Sequence, residues 1–301
     1  MVYSQLKAEL SGGAVVLMDG ATGTQLQRRG ASMDATAWCG AAGAANAELL
    51  EQIHRDYIAE GARLITANTF ATSRLVLAAA GLGAEYEQIN AVTLAAGRRA
   101  ASAGAVLGGS LSHMIPRRDH HGEPDPVEIA EAYAEHAETL VAGGCEVILL
   151  EMMFAPERME AAFTAACATG LPVWAGFSAR RGANGAVLSF AQNRDIPFAE
   201  IVAILDDFSV DAAGVMHSEA EVTGDALALI RQRFSGPLTA YPDSGHMKLP
   251  QWQFQDVIAP DDLATFASEW VANGTQVLGG CCGLDETHLR AMAPLTHGPA
   301  G

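Results

Sequence analysis

The sequence is poor in aromatic residues, in basic residues and in long apolar runs. Aromatic side chains make up 6 % of its 301 residues, and 18 Lys and Arg stand against 35 Asp and Glu, for a formal net charge of −17. Such a charge repels polyanions, so we expect neither a nucleic-acid partner nor binding to an anionic membrane surface. No stretch approaches the roughly 20 apolar residues of a transmembrane helix, and the N-terminal residues do not resemble a signal peptide.

Cysteine is also scarce. The chain has five, an odd number, and 50 % of its residues are hydrophobic, so a large core can form without disulfides. Reduced thiols in the cytoplasm fit this composition best.

Short apolar runs alternate with Ala-rich stretches of helical character along the chain. The predicted strands are 15–19, 64–70, 105–110, 147–151, 173–178, 211–217, 238–243 and 276–281. The predicted helices include 47–59, 86–103, 126–142, 156–168, 197–205, 219–232 and 260–272. Strands that alternate with helices indicate a parallel sheet, and nearly continuous apolar strands indicate burial on both faces.

Eight such units favour an α/β fold with a single (β/α)8 TIM barrel over residues 1–301. An open doubly wound sheet would show similar alternation. The barrel is preferred because polar or Gly-rich residues follow most of the strands. In a barrel those strand ends converge on one mouth, where active sites lie.

Residues 279–283 (GGCCG) give the strongest local signal, at the end of the eighth predicted strand. Adjacent side chains of a regular strand point to opposite faces, so Cys281 and Cys282 can share a metal only where the pleat is broken. The flanking glycines permit that break. Two buried cysteines used as small apolar residues are the alternative.

A catalytic zinc takes three protein ligands and keeps one position open. His217, which ends the sixth predicted strand, is the best third ligand, although it could instead be a hydrogen-bonded histidine at the mouth. Cys39 is a weaker candidate. Cys145 precedes the fourth strand and should be inert, and Cys167 falls in a helical stretch and should be packed.

Residues 19–24 (DGATGT) place an acid and then a Gly/Thr turn after the first strand. Backbone N–H groups of Gly20, Ala21 and Thr22 could bind a carboxylate, and Asp19 could bind an ammonium, as an α-amino acid requires. Glu151 ends the fourth strand and could pair with the same ammonium.

Further candidates for substrate binding follow other strands. Trp38 could contact a cationic methyl donor by cation–π attraction or simply pack its loop. The segment 117–121 (RRDHH) is expected to be a solvated loop without a metal role. The remaining candidates are Asn68, Thr69, Ser110 and Tyr241.

These motifs, in this order, resemble those of the homocysteine S-methyltransferases. That family includes the betaine–homocysteine and S-methylmethionine–homocysteine enzymes and the homocysteine domain of cobalamin-dependent methionine synthases. The motifs that carry the resemblance are DGATGT at 19–24, ANTF at 67–70, Glu151, YPDSG at 241–245 and GGCCG at 279–283.

The resemblance implies a zinc-dependent barrel in which Cys281 and Cys282 bind Zn²⁺. It also implies that Asp19 and Glu151 hold the amino group of homocysteine and that N–H groups near residues 20–22 hold its carboxylate. One departure stands out, because the family usually has a third zinc cysteine where this chain has His217. With the substrate thiolate bound to the zinc, a neutral imidazole would give the complex a charge of about −1, where a third cysteine thiolate gives about −2.

The sequence therefore predicts a Zn²⁺-dependent S-methyltransferase that moves a methyl group from an onium-type donor to homocysteine and yields methionine. The alternatives are the same chemistry on another small thiol, an onium-compound demethylase, a zinc- or amino-acid-binding barrel without turnover, and an unrelated barrel lyase without metal. The expected partners are small molecules, with a homo-oligomer or a separate corrinoid protein as further options.

Overall fold

A computed structural model describes residues 2–114, 124–248 and 253–297. Eight parallel strands form a closed barrel in which each strand pairs with its neighbours in the chain and β8 pairs with β1. The strands are β1 Val16–Met18, β2 Ala62–Ala67, β3 Val106–Ser112, β4 Val147–Met153, β5 Val173–Phe177, β6 Ala212–Glu219, β7 Leu238–Asp243 and β8 Thr275–Leu278.

Helices surround the barrel. They are α1 Tyr3–Ser11, α2 Thr22–Arg28, α3 Cys39–Ala45, α4 Ala47–Ala59, α5 Arg74–Ala79, α6 Tyr86–Ala101, α7 Pro126–Ala142, α8 Pro156–Ala168, α9 Phe198–Ile201, α10 Ala220–Arg231, α11 Pro260–Ala272 and α12 Glu286–Met292. Short 3₁₀ turns lie at Gly83–Glu85, Val202–Asp206 and Ala293–His297. In the described part of the chain, no helix combines the length and the apolar character needed to cross a bilayer.

The predicted (β/α)8 barrel is confirmed, and each of the eight predicted strands overlaps an observed one. Prolines begin α7, α8 and α11, where a missing N–H costs little. The prediction was wrong in detail for 197–205, where Pro197 precedes only one α-helical turn and a 3₁₀ turn follows. The segment 117–121 lies outside the described residues.

Three apolar cores are found among the described residues. The largest lies between strands and helices, the second fills the barrel interior, and a small third one includes residues of α5 and α6. Helix α1 closes the N-terminal end of the barrel, because Tyr3, Leu6 and Leu10 pack into the interior core. Tyr3 also accepts a 2.9 Å hydrogen bond from Trp174 Nε1 on β5. The opposite end is therefore the one left for a site.

Two strands deviate from regular pairing at that open end. The register shifts between Leu150 and Met153 on β4 and between Met216 and Glu219 on β6. A bulge re-aims side chains at the rim of a barrel. Within these bulges Met152 and His217 have left-handed backbones, with φ of 57° and 45°.

Candidate active site

Three side chains with metal-binding chemistry meet at the open end of the barrel. The candidate ligand atoms of His217, Cys281 and Cys282 all lie within 4.8 Å of one another. Cys281 Sγ is 3.6 Å from His217 Nδ1 and 4.0 Å from Cys282 Sγ. Ligands of a tetrahedral zinc, bound at roughly 2.0–2.3 Å, are about 3.5–3.8 Å apart. The donor types therefore fit zinc, and the two distances from Cys281 Sγ lie close to that spacing.

Glycines make the approach of the two thiols possible. The chain leaves β8 at Gly279 and Gly280, where an added Cβ would lie 2.6 Å from the Tyr241 ring and 2.7 Å from Leu284 Cβ. Gly283 has φ +82°, and a Cβ there would lie 2.1 Å from the carbonyl oxygen of Ser244. A side chain at any of these three glycines would clash with a neighbour. The turn that they form brings the adjacent thiols of Cys281 and Cys282 within 4.0 Å of each other.

His217 reaches the thiols from β6. Its left-handed backbone is a conformation that histidine adopts more readily than most residues. Its Nδ1 lies 3.3 Å from Asp243 Oδ2 at the end of β7, and its ring meets the Phe190 ring edge-on with the centroids 5.1 Å apart. An acid and an aromatic ring thus contact the imidazole.

A cavity of about 510 Å³ surrounds this group, which is the size of a small-molecule site. Its wall contains residues from the ends of most of the strands. Of the predicted substrate-binding residues, Gly20, Ala21, Thr22, Trp38, Asn68, Glu151 and Tyr241 line it, and Asp19, Thr69 and Ser110 do not.

Glu151 brings a carboxylate to the cavity. It is only 9 % exposed, and its Oε1 is buried without a hydrogen-bond partner. Burial raises the pKa of this carboxyl from 4.5 to about 7. A buried acid without a partner at a cavity wall is suited to a cationic ligand group.

Asp19 has partners within the protein. Its Oδ2 accepts a 2.6 Å hydrogen bond from Thr66 N, and its Oδ1 accepts 3.0 Å hydrogen bonds from Thr66 Oγ1 and the Tyr241 hydroxyl. Burial raises the pKa of Asp19 to about 6. The carboxylate lies behind the wall, where it orients the cavity-lining Tyr241 and Thr66.

The residues after β2 and β3 mainly brace the mouth. Asn68 Nδ2 donates a 2.9 Å hydrogen bond to the Cys39 carbonyl. Thr69 Oγ1 donates to the Ser110 carbonyl at 3.0 Å and accepts from Ser110 N at 3.1 Å. Trp38 meets Phe70 edge-on with the ring centroids 6.0 Å apart. Thr69 and Ser110 therefore join two strand ends and do not face the cavity.

Residues 20–23 form the wall at the start of α2. The backbone N–H groups of a first helical turn lack partners within the helix. A Cβ on Gly20 would lie 2.7 Å from the Tyr57 ring, and one on Gly23 would lie 2.8 Å from the Trp38 ring. Without side chains at these two positions, the backbone itself borders the cavity.

The other cysteines lie apart from the three-ligand group. Cys39 lines the cavity and is buried, and burial raises its pKa far above the ordinary range. Cys145 is also buried, and its pKa is raised to about 12. Cys167 is half-buried on α8, and all five thiols are free.

Several wall residues were absent from the sequence prediction. Asp243 belongs to the YPDSG segment that the sequence places at the mouth, but no role was predicted for it. A second cavity of about 420 Å³ adjoins the first and shares Phe70, Met114 and Met152 with it. Its wall also contains Phe154 and Phe190, apolar residues that carry no recognisable motif.

Comparison with known proteins gives a match over almost the whole chain. The family model described as homocysteine S-methyltransferase matches residues 16–296. The homocysteine S-methyltransferase of Escherichia coli (strain K12) is 25 % identical, over 95 % of this chain and 97 % of the relative. The selenocysteine Se-methyltransferase of Brassica oleracea var. italica is 23 % identical, over 96 % of this chain and 91 % of the relative.

Solved structures show the same architecture. The metallated form of the homocysteine methyltransferase MmuM from Escherichia coli superposes with a TM-score of 0.77 at 22 % identity, and the match covers 96 % of this chain and 99 % of that one. The apo form of the same enzyme gives a TM-score of 0.71. At this identity the likeness establishes the barrel fold.

Proposed function

Because the chain belongs to the homocysteine S-methyltransferase family, we propose that it transfers a methyl group to the sulfur of homocysteine and releases methionine. The observation that carries this proposal is the convergence of His217, Cys281 and Cys282 at the wall of a cavity large enough for an amino acid. The activity makes the protein a methyltransferase.

The residues that would hold Zn²⁺ are Cys281, Cys282 and His217. When bound, zinc supplies a positive charge that favours the thiolate form of an acceptor thiol near neutral pH. The ligand atoms of these three residues lie at the barrel mouth, and one side of the three-ligand group faces the cavity. In the reaction the acceptor sulfur gains the methyl group, and the donor leaves with the electron pair of its broken bond.

Glu151 would bind the α-ammonium of the acceptor, since its unpartnered carboxylate oxygen lies at the cavity wall. Within residues 20–22, the N–H groups of Gly20 and Thr22 would bind the α-carboxylate, since the N–H of Ala21 already donates a 3.1 Å hydrogen bond to the Leu284 carbonyl. We assign Asp19 a positioning role through Tyr241, because its oxygens already accept three hydrogen bonds. Asn68, at the cavity wall, would brace the Cys39 backbone, and Thr69 would brace the Ser110 backbone.

The second cavity is a suitable place for the methyl donor. It shares three wall residues with the acceptor cavity, and the ring of Phe190 lies against His217. Its aromatic residues would attract onium methyl groups by cation–π interaction. The same wall also contains Arg158 and the ion pair of Arg194 with Glu157. Adjacency aligns two reactants without a covalent enzyme intermediate. The five free thiols are consistent with a reducing compartment such as the cytoplasm.

The first prediction tests the metal site. Cys281→Ser and Cys282→Ser should each lose stoichiometric zinc and methyl transfer to homocysteine, because two ligands cannot retain the ion. Zinc is measured by metal analysis, and methionine formation is measured with betaine and S-methylmethionine as donors. Chelation of wild-type zinc should abolish activity, and added zinc should restore it.

Cys167→Ser is the matched control and should keep both properties, since Cys167 lies on α8 away from the cavity. Full methyl transfer by a zinc-free Cys281→Ser protein would refute the proposal. Assays with small thiols other than homocysteine, and with the selenol of selenocysteine, test whether the acceptor is a different compound. Binding of zinc and amino acid without any methylated product would instead identify a barrel without turnover.

A further inference from the structure

The wall of the second cavity carries positive charge that the proposed donor site does not use. Among its described residues, Arg158 and Arg194 stand against Glu157, and Arg194 forms an ion pair with that glutamate. This wall contrasts with the formal net charge of −17 of the whole chain. A positive charge repels a cationic methyl group, so it suits a different part of a ligand.

Helix α8 begins at the same wall. Ala155, Glu157 and Arg158 line the cavity, and Pro156 occupies the first position of this 13-residue helix. Ala155 is the N-cap residue, and its side chain makes no capping hydrogen bond. The start of a helix carries a partial positive charge that attracts anions. The start of α8 and Arg158 therefore act on a ligand with the same sign.

His113 gives a second, independent indication of a ligand. It directly follows β3, is 2 % exposed and lines the second cavity, where its ring stacks on Phe154 with the centroids 4.7 Å apart. The Met152 backbone approaches the ring, but neither ring nitrogen makes a hydrogen bond of normal geometry among the described residues. Burial and the charge of Arg158 lower the pKa of His113 to about 3. The imidazole is therefore neutral near pH 7 and has one N–H to donate to a ligand.

A row of rings joins this place to the candidate metal group. The Phe190 ring lies 5.1 Å from the His217 ring and 6.0 Å from the Phe154 ring, between their centroids, and Phe154 stacks on His113. A ligand along this row would present a cationic methyl group to Phe190 beside His217. Its other end would lie near His113 and Arg158.

Building on the proposed methyl transfer, we propose that His113, Arg158 and the start of α8 form a subsite for a carboxylate of the methyl donor. Arg158 and the helix start attract the negative charge, and the N–H of His113 donates a hydrogen bond to it. The donor is then a zwitterion, with its onium methyl group at the aromatic rings and its carboxylate at the other end of the row. The subsite selects the donor and does not contact the transferred methyl group.

The test compares two sulfonium probes, dimethylsulfonioacetate, which has a carboxylate, and trimethylsulfonium, which has none. Their binding to the zinc-loaded protein is measured by titration calorimetry with methionine present to occupy the acceptor cavity. The wild type should bind dimethylsulfonioacetate roughly 10- to 100-fold more tightly than trimethylsulfonium. Arg158→Gln should lose most of this preference, as should His113→Phe, which keeps a ring against Phe154. Arg233→Gln, which breaks an exposed ion pair with Asp206, is the control and should keep the preference.

Equal binding of the two probes by the wild type, or binding of neither, would overturn the proposal. So would a preference that both variants retain, or an equal loss of both probes in Arg158→Gln, which would indicate a merely structural role. If Arg158→Gln misfolds, His113→Phe carries the same expectation and the same contradiction. The preference without methionine formation from homocysteine would contradict the proposed function alone. Methionine formation without the preference would contradict this inference alone.

Discussion

At the scale of single residues, Glu151 shows how a buried binding residue lowers the stability of the folded protein. Its carboxylate is buried with one oxygen unpartnered, and burial raises its pKa to about 7. In water the same group ionises near 4.5. Above pH 7 the folded protein therefore holds a poorly solvated charge that the unfolded chain would solvate. Ser110 and His217 offset part of that penalty, and a cationic ligand group would offset more of it.

Glu151→Gln should stabilise the metal-free protein in a pH-dependent way. Below pH 4.5 the carboxyl is neutral in both states, so the variant should gain little there. Between pH 4.5 and 7 only the unfolded state ionises, and the wild type should lose stability progressively. Above pH 7 the variant should be more stable by roughly 3 kcal/mol, as measured by urea unfolding at pH 5 and pH 8.

The same substitution should impair acceptor binding. Loss of a charge-assisted hydrogen bond to the ammonium costs about 1.5–3 kcal/mol, so the homocysteine KM should rise roughly 10- to 100-fold while zinc content stays unchanged. Glu48→Gln, at an exposed position on α4, should change neither quantity. An unaltered KM in Glu151→Gln would remove Glu151 from the acceptor site.

At the scale of elements, the sequence predicted the barrel strands better than the elements between them. Apolar runs mark buried strands clearly, whereas α3 consists of Ala, Gly and Cys and gives no periodic signal. The antiparallel hairpin of Ala179–Arg181 and Val187–Ser189 was also missed, because three-residue strands are too short to show alternation.

The sequence predicted those site residues whose type and immediate neighbours in the chain already indicate a chemical role. Adjacent cysteines between glycines and a histidine at a strand end were identified in this way. The partnership of His217 with Asp243 depends on the β6 bulge, and the placement of Asp19 behind the wall depends on Thr66 and Tyr241. These are contacts between distant segments, which local patterns do not encode.

The turn after β8 can be tested through two glycines with the same backbone conformation. Gly283 and Gly185 both have φ +82°, but a Cβ would meet Ser244 O at 2.1 Å at the first and nothing within 4 Å at the second. Gly185→Ala should cost about 1–2 kcal/mol for the left-handed backbone alone. Gly283→Ala should cost more and should also weaken zinc binding, because the clash displaces the adjacent Cys282.

Urea unfolding and competition with a chromophoric chelator measure both effects. Equal destabilisation by the two alanines, with zinc affinity unchanged in both, would mean that the turn relaxes around the new side chain. The thiol geometry would then not depend on the tight fit at Gly283.

At the scale of the whole molecule, the barrel places the packing of its closed end and the candidate active site at opposite ends. The closed end is filled by α1 and the interior core, and the candidate ligands lie at the other end. This division is typical of β/α barrels, in which the C-terminal strand ends carry function. The preference for a barrel over an open sheet came from polar residues at the strand ends, and the closed strand order confirms it.

Leu6→Ala should therefore destabilise the protein without impairing its chemistry. Leu6 is fully buried under the barrel, and its truncation should cost about 2–5 kcal/mol. Urea unfolding measures the loss, and kcat and the homocysteine KM should stay within twofold under native conditions. Val2→Ala, at a position 51 % exposed, should change neither stability nor activity. A changed KM in Leu6→Ala would show that the two ends are coupled.

Helix α1 also limits how ligands can reach the candidate site, because it closes the N-terminal end of the barrel. Because that end of the barrel is filled, any ligand of the cavity beside Cys281 enters and leaves through the opposite end, where the two cavities adjoin each other.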